Sequence, residues 1–223
     1  MSADLIVSYD GSSNDEDALA LGGLLAASGA TLALAYVRHA HDWNEAREQI
    51  AQHDAEHLLE QGALGLERPD VDRHVVFHAS TPAGLEQLAR AEGAKVIVFG
   101  SEYRTSPGRA EPGTSAQQLL DGGAIAVAVA AAGLRVSREP PVRTIAVAPT
   151  GQDEAATQTA TNLAQALDAT IMDMGEGADL IVVGSQIGGA PGRISLSGSA
   201  RAALNAMRGS VLVVPCGVPV TFG

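Results

Sequence analysis

The sequence has few cysteines, few aromatic residues and few positive charges, and each shortage excludes a class of protein or partner. A single cysteine, Cys216, allows neither an internal disulfide nor a cysteine-based zinc site, and it is typical of a reducing compartment. The 14 Lys and Arg residues are outnumbered by 26 Asp and Glu residues, which gives a formal net charge of -12. Nucleic acids and anionic membranes attract basic surfaces, so we expect neither as a partner.

Long hydrophobic runs are also missing. No segment approaches the roughly 18 uninterrupted apolar residues that predict a membrane-spanning helix, and the first residues do not resemble a signal peptide. We therefore expect a cytoplasmic protein. Hydrophobic residues make up 46% of the 223-residue chain and charged residues 18%, which is typical of a globular fold. Because only 3% of the residues are aromatic, the core must consist mainly of Ala, Val, Leu and Ile.

Short apolar segments alternate with longer segments of helical periodicity. The first helix is predicted to be capped by Ser12 or Ser13, and a second, polar helix (residues 43–63) to carry Ile50, Leu58 and Leu59 on its inner side. Alternating strands and helices predict an α/β fold with a doubly wound parallel sheet. The predicted strands of the first part are residues 4–9, 31–37, 71–78, 95–99 and 124–130.

Two stretches of the chain, residues 92–120 and 176–204, repeat one another. Gly100-Ser101 matches Gly184-Ser185, and Pro107-Gly108-Arg109 matches Pro191-Gly192-Arg193. One extra residue in the second stretch then aligns Gly113-Thr114 with Gly198-Ser199. So many matches in register indicate an internal repeat.

The repeat divides the chain into two predicted domains, residues 1–134 and 144–223, joined by a charged, proline-containing linker at residues 135–143. Asp10 precedes Gly100 by 90 residues, whereas the matching Thr150 precedes Gly184 by only 34, so the second copy lacks 56 residues. The missing part corresponds to one strand and two helices. Because parallel connections need about a dozen residues, we expect residues 170–174 to be an irregular connector, with an antiparallel strand as the alternative.

The most informative stretch follows the strand that ends at Gly100. A loop rich in Gly, Ser, Pro and Arg leads to Gly113-Thr114-Ser115, where a helix is predicted to begin. A strand, a glycine loop and a helix N-terminus together form a common cradle for phosphate groups.

These residues resemble the universal stress protein family, in the tandem form with two family domains on one chain. The resemblance implies two Rossmann-like domains of the adenine nucleotide alpha hydrolase type, the second truncated, and binding of ATP or AMP in a regulatory stress response. The family motif is a first strand ending in Asp, followed after the fourth strand by Gly-x2-Gly-x9-Gly-Ser/Thr. The implied binding residues are Asp10, Val37, Gly100, Arg109, Gly113, Thr114 and Ser115 in the first copy, and Gly188, Gly198 and Ser199 in the second.

Each copy departs from this motif. In the first, Tyr103 stands at the second glycine, and Glu102 and Glu111 place negative charge in the loop. The second keeps Gly188-x9-Gly198-Ser199, but Gly184 lies one residue too far upstream and Thr150 replaces the Asp. We expect the first copy to be the binding site, with affinity for adenosine or AMP and little preference for ATP.

The resemblance also implies that the fifth strands, residues 124–130 and 210–215, lie against each other. Both are apolar, which makes them hazardous as open edges. The chain would then form an internal pseudo-dimer, and a homodimer through the truncated edge stays open as an alternative.

Other functions fit the sequence less well than nucleotide binding. His53, Glu56 and His57 match the zinc-peptidase pattern H-x-x-E-H, but we interpret them as part of a solvated helix face. The first strand is not followed by G-x-G-x-x-G, which excludes a dinucleotide-dependent dehydrogenase. A degenerate scaffold that binds only protein partners is the main alternative. Because no catalytic triad or carboxylate pair stands out, we expect at most slow, incidental ATP hydrolysis.

Overall fold

The structure is a computed structural model that describes residues 2–39, 44–136, 142–148, 154–173 and 177–222. The first part of the chain contains β1 (Leu5–Ser8), α1 (Asp15–Ala26), β2 (Leu32–Arg38), α2 (Glu45–Gly65), β3 (Asp72–Phe77), α3 (Thr81–Glu92), β4 (Val96–Phe99), α4 (Thr114–Leu120) and β5 (Ala126–Val129). A short 3-10 helix (Leu134–Val136) follows. The second part contains β6 (Thr144–Val147), α5 (Glu154–Leu167), β7 (Thr170–Met172), β8 (Leu180–Val183), α6 (Gly198–Ala206) and β9 (Ser210–Val213).

In the described part of the chain these strands form one nine-stranded sheet in the order β3-β2-β1-β4-β5-β9-β8-β6-β7. All strand pairs are parallel except β5 and β9, which pair antiparallel with Ala128 opposite Leu212. The predicted α/β fold and the contact between the two fifth strands are therefore confirmed. This pairing covers the apolar edge strand that each half would otherwise expose.

The prediction for residues 170–174 was wrong. Residues Thr170–Met172 form β7, a strand parallel to β6, with Ile171 opposite Ile145. Strand β8 pairs parallel with β6 on its other side. Strands β7 and β8 thus lie on either side of β6 and do not pair with each other. Met172 is opposite Ala146 and Leu180 is opposite Ile145, so the end of β7 and the start of β8 lie at neighbouring register positions of β6.

Two apolar clusters fill the two faces of the sheet, and each contains residues from both halves. One includes Leu34 and Leu163, and the other includes Ile97 and Val183. Ala, Val, Leu and Ile dominate both, as the low aromatic content predicts. The assignment of Ile50 to the inner side of α2 was wrong, since it is 61% exposed. Nine residues separate it from the buried Leu59, which places the two on opposite sides of a helix of 3.6 residues per turn.

After β5 and after β9 the chain returns to the first helix of the same half. The buried Asp17 of α1 accepts hydrogen bonds from the backbone N–H groups of Gly133 and Arg135, both at 2.8 Å. In the second half the buried Thr159 of α5 accepts the Val220 N–H at 2.9 Å. Arg135, assigned to the linker by its sequence, is thus bound to the first half, while residues 137–141 of that linker lie outside the described residues. Among the described helices, none is long and apolar enough to cross a membrane.

Candidate functional site

The loop between β4 and α4 is held by a buried serine. The Ser101 hydroxyl donates to the Ala130 carbonyl at 2.6 Å and accepts the Glu111 N–H at 3.1 Å. Nearby, the Gly108 N–H donates to the Ala132 carbonyl at 2.8 Å. These bonds fasten the loop to the residues that follow β5, so its shape depends on the sheet and not on the loop sequence alone.

The loop between β8 and α6 repeats this arrangement. The buried Ser185 hydroxyl donates to the Val214 carbonyl at 2.9 Å and accepts the Ser195 N–H at 3.0 Å. The Gly192 N–H donates to the Cys216 carbonyl at 2.8 Å. Each of these residues lies 84 positions after its counterpart in the first loop (Ser101 and Ser185, Ala130 and Val214).

The same spacing of 84 relates β5 to β9, which begin at Ala126 and Ser210. The extra residue that the sequence alignment placed in the second loop is therefore not present. With the uniform spacing Ser197 corresponds to Gly113, and Ile187 corresponds to Tyr103. The sequence alignment was wrong here because it favoured identical glycines over constant spacing.

The N-caps of the two following helices differ accordingly. Gly113 occupies the N-cap of α4 and has no side chain to offer, whereas Ser197 caps α6 and accepts the Ala200 N–H at 3.1 Å. The Ser197 hydroxyl also lies 2.8 Å from that of Ser199. The second loop therefore lacks the second and the third motif glycine in register, whereas the first loop lacks only the second.

The turn between β1 and α1 carries Asp10, which is exposed at the end of the strand and accepts the Ser12 N–H at 2.9 Å through Oδ1. The predicted cap by Ser12 or Ser13 was wrong. The N-cap residue is Asn14, and its side chain makes no capping bond. Asp15 is only 9% exposed, and its Oδ2 accepts the N–H groups of Asp10 and, at 3.0 Å, of Gly11. Burial raises the pKa of Asp15 to about 7.

Asn14 connects this turn to the glycine loop. Its side-chain amide donates to the Ser101 carbonyl at 2.8 Å, and Ser101 forms a β-bridge with Pro112 just before α4. A Cβ at Gly100 would lie 2.2 Å from the Asn14 carbonyl oxygen, so only glycine allows this approach. The structure thus brings together the Asp10 turn, the end of β4 and the start of α4.

Other predicted residues of the first copy lie in different surroundings. Val37 is only 5% exposed and belongs to the apolar cluster that contains Leu85 of α3. Arg109 is exposed, and its backbone forms a β-bridge with Arg208 of the second half. Thr114 is exposed at the start of α4, and Ser115 beside it is half-buried.

In the second copy, Gly188 lines a cleft of about 350 Å³ together with Ile187, Glu154 and Cys216. Gly198 and Ser199 are exposed in the first turn of α6. Thr150, which corresponds to Asp10 in the sequence comparison, lies outside the described residues. The acidic side chain of Glu154 in this cleft makes it unfavourable for a phosphate group.

Negative charge also borders the first loop. The Glu102 Oε2 lies 3.2 Å from the position that a Cβ of Gly113 would take. The Glu111 Oε2 instead accepts a hydrogen bond from the Thr105 hydroxyl at 3.3 Å. Tyr103 between them is 75% exposed. A carboxylate so close to the start of α4 disfavours a polyphosphate there.

The zinc-peptidase pattern lies elsewhere. His53, Glu56 and His57 line a cleft of about 510 Å³ between α2 and β3, with Arg73 opposite them. Among the described residues, no group of three His, Cys, Asp or Glu side chains could hold a metal ion. Sequence reasoning missed the structural roles of Ser101 and Asp15. The identity of Ser101 with Ser185 was a usable signal, whereas nothing in the local pattern marks Asp15 as buried.

The fold and this site define an α/β protein with a doubly wound sheet, a class that places its ligand sites at the carboxyl ends of parallel strands. The model of the universal stress protein family matches residues 1–131. Because this is more than half of the sequence, the chain belongs to the universal stress protein family.

Solved structures agree on the fold. A universal stress protein from Archaeoglobus fulgidus DSM 4304 is similar with a TM-score of 0.69 and 13% identity, over 96% of this chain and 99% of that one. A functionally unknown protein from Pseudomonas aeruginosa PAO1 has a TM-score of 0.61 and 15% identity, over 97% of this chain and 94% of that one. No curated protein sequence matches the chain significantly.

Proposed function

We propose that the first half of this chain binds an adenine nucleotide, ATP or AMP, and that the protein acts as a regulatory stress-response factor. The observation that carries the proposal is the hydrogen bond from Asn14 to Ser101, which holds the exposed Asp10 turn next to the glycine loop. The family to which the chain belongs and the motif residues Asp10, Gly100, Gly113 and Thr114 support it. The second half, with Ser197 at the third glycine, serves as a structural partner.

The loop charges define the preferred ligand. Glu102 beside Gly113 and the side chain of Tyr103 both oppose a polyphosphate. Recognition therefore rests mainly on the adenosine part, with adenosine and AMP binding at least as well as ATP. Isothermal titration of nucleotide-free protein with adenosine, AMP, ATP and GTP tests this order. Absence of binding by every adenine compound would instead favour the ligand-free scaffold.

We predict that Asp10→Ala lowers the affinities for AMP and ATP by similar factors, about tenfold to a hundredfold. The reason is that a hydrogen bond to a charged group is worth roughly 1.5–3 kcal/mol. Asp70→Ala, which removes an exposed acid before β3, is the matched control and should leave both affinities unchanged. A large loss for ATP alone would place Asp10 at the phosphates. Abolition of all binding by Gly198→Val would move the site to the second half.

A second prediction concerns the exposed side chain at the missing glycine. Tyr103→Gly should raise the affinity for ATP severalfold more than the affinity for adenosine, since the loop backbone could then approach the phosphates. Ile187→Gly makes the same change at the corresponding position of the second loop, where Ile187 is 68% exposed. Titration calorimetry should show no change for that control. Equal effects of both substitutions would contradict the assignment to the first half.

A further inference from the structure

Asp15 fixes the backbone of the turn that carries Asp10. Asp15 is only 9% exposed, and its carboxylate accepts hydrogen bonds from the N–H groups of Asp10 and Gly11. On the other side, Gly11 has a φ of +81°, and a Cβ there would lie 2.6 Å from the Leu58 side chain of α2. The turn is thus clamped between the Asp15 carboxylate and α2, and the direction of the Asp10 side chain depends on this clamp.

The groups around Asp15 are mainly acidic or apolar. Asp10 faces it from the turn, Glu16 follows it on α1, Tyr9 comes directly after β1, and α2 contributes the apolar Leu58 to the turn. Burial and the charge of Asp10 raise the pKa of Asp15 to about 7, against the opposing effect of the two N–H donors. Burial, with Glu16 and Asp15 beside it, raises the pKa of Tyr9 as well. Asp15 therefore changes its charge near neutral pH.

We propose that Asp15 is a positioning residue that makes ligand binding at the Asp10 turn proton-linked, which rests on the nucleotide site proposed above. The protonated carboxyl group still offers an oxygen to the two N–H groups and adds no charge to the site. Its ionisation places a second negative charge directly behind Asp10. This charge weakens the binding of anionic ligands and leaves the binding of neutral adenosine nearly unchanged.

The size of the effect follows from Coulomb's law. Two like charges roughly 10 Å apart near a protein surface change an affinity by somewhat more than tenfold without salt, and screening by salt lowers this to about five- to tenfold. Linkage is reciprocal, so a bound anion must also favour the protonated form of Asp15. Binding of an anionic nucleotide near pH 7 is therefore accompanied by proton uptake.

The test uses the full chain and three proteins: wild type, Asp15→Asn and Glu16→Gln. Asn keeps an oxygen acceptor for the turn but never ionises, and Glu16→Gln removes the same charge from the neighbouring exposed position. Affinities for AMP and adenosine are measured by titration calorimetry between pH 6 and 8.5. Because the AMP phosphate itself titrates, the quantity compared is the Kd of wild type divided by that of the variant at each pH.

For Asp15→Asn the AMP ratio should rise from about one at pH 6 to about five to ten at pH 8.5, while the adenosine ratio stays constant. For Glu16→Gln the ratio should not change with pH. A constant AMP ratio for Asp15→Asn, or equal behaviour of both variants, would overturn the inference. If Asp15→Asn does not fold, the test is proton uptake by the wild-type protein when it binds adenosine 5′-monosulfate, whose charge is constant in this pH range. The absence of proton uptake near pH 7 would likewise overturn the inference.

Failure of the inference can be told from failure of the proposed function. If adenosine and AMP bind but show no Asp15-dependent pH profile, only the inference falls. If neither ligand binds wild type or variant at any pH, the proposed nucleotide site is wrong and the inference falls with it.

Discussion

Gly100→Ala is expected to lower the free energy of unfolding by about 3 kcal/mol, a value at the upper end for overpacking of a core. The new methyl group would lie 2.2 Å from the Asn14 carbonyl oxygen and 2.7 Å from its carbonyl carbon. Both atoms belong to the backbone where α1 begins, so neither can rotate away as a side chain would. Urea unfolding followed by circular dichroism measures the loss.

Two other glycines are controls: Gly113 at the third motif position of the first loop, and Gly198 at the start of α6. A Cβ at Gly198 would have no atom within 4 Å, and at the first residue of α6 an alanine should leave stability unchanged or raise it by up to about 1 kcal/mol. At Gly113 the nearest atom is the end of the flexible Glu102 side chain, at 3.2 Å, so a small effect is expected. Equal losses at positions 100 and 198 would show that the contact with Asn14 does not explain Gly100.

The second large effect is a fall in stability as the pH rises from about 4 to about 7. Burial raises the pKa of Asp15 to about 7 from the ordinary value of 3.8 for an aspartate. Between these values the folded state binds more protons than the unfolded chain, so the free energy of unfolding decreases with increasing pH. The contribution is fully present below pH 4 and is lost above pH 7. Its slope approaches 1.4 kcal/mol per pH unit, or about 4 kcal/mol over the whole range.

Other carboxyl groups also titrate in this range, so the informative quantity is the difference between wild type and Asp15→Asn. The variant keeps an acceptor for the turn and lacks the ionisation. Its stability relative to wild type should increase by several kcal/mol between pH 4 and pH 7 and then level off. Urea unfolding at half-unit pH steps provides the curve. Parallel stability curves for the two proteins would show that Asp15 has an ordinary pKa in the folded state.

Much of the fold could be predicted because its signals are local. Helix α4 begins at Thr114, inside the Gly113-Thr114-Ser115 stretch where the sequence predicted a helix start. The contact between β5 and β9 was predictable from the family resemblance and from two edges too apolar to stay exposed. The binding roles of Asp10, Gly113 and Thr114 remain predictions, since they depend on a ligand.

The candidate site was predicted less well, because its geometry depends on contacts between distant segments. Identical glycines in the two loops favoured an alignment with an extra residue, while the hydrogen bonds of Ser101 and Ser185 require constant spacing. Acids at the start of α1 have a sufficient local explanation in the helix dipole. That explanation does not reveal that Asp15 turns back to the Asp10 turn and is buried there.

The sequence by itself determined the alternation of strands and helices, the two glycine loops and the family, because periodicity and motif spacing are properties of the chain. Only the tertiary structure decided that Thr170–Met172 is a parallel edge strand, that Ser197 replaces the third glycine, and that Asp15 is buried. Each of these depends on what a segment packs against, and those partners lie close in space irrespective of their separation along the chain. A residue's burial, and with it the pKa of an acid such as Asp15, is therefore set only when the sheet has brought those partners together.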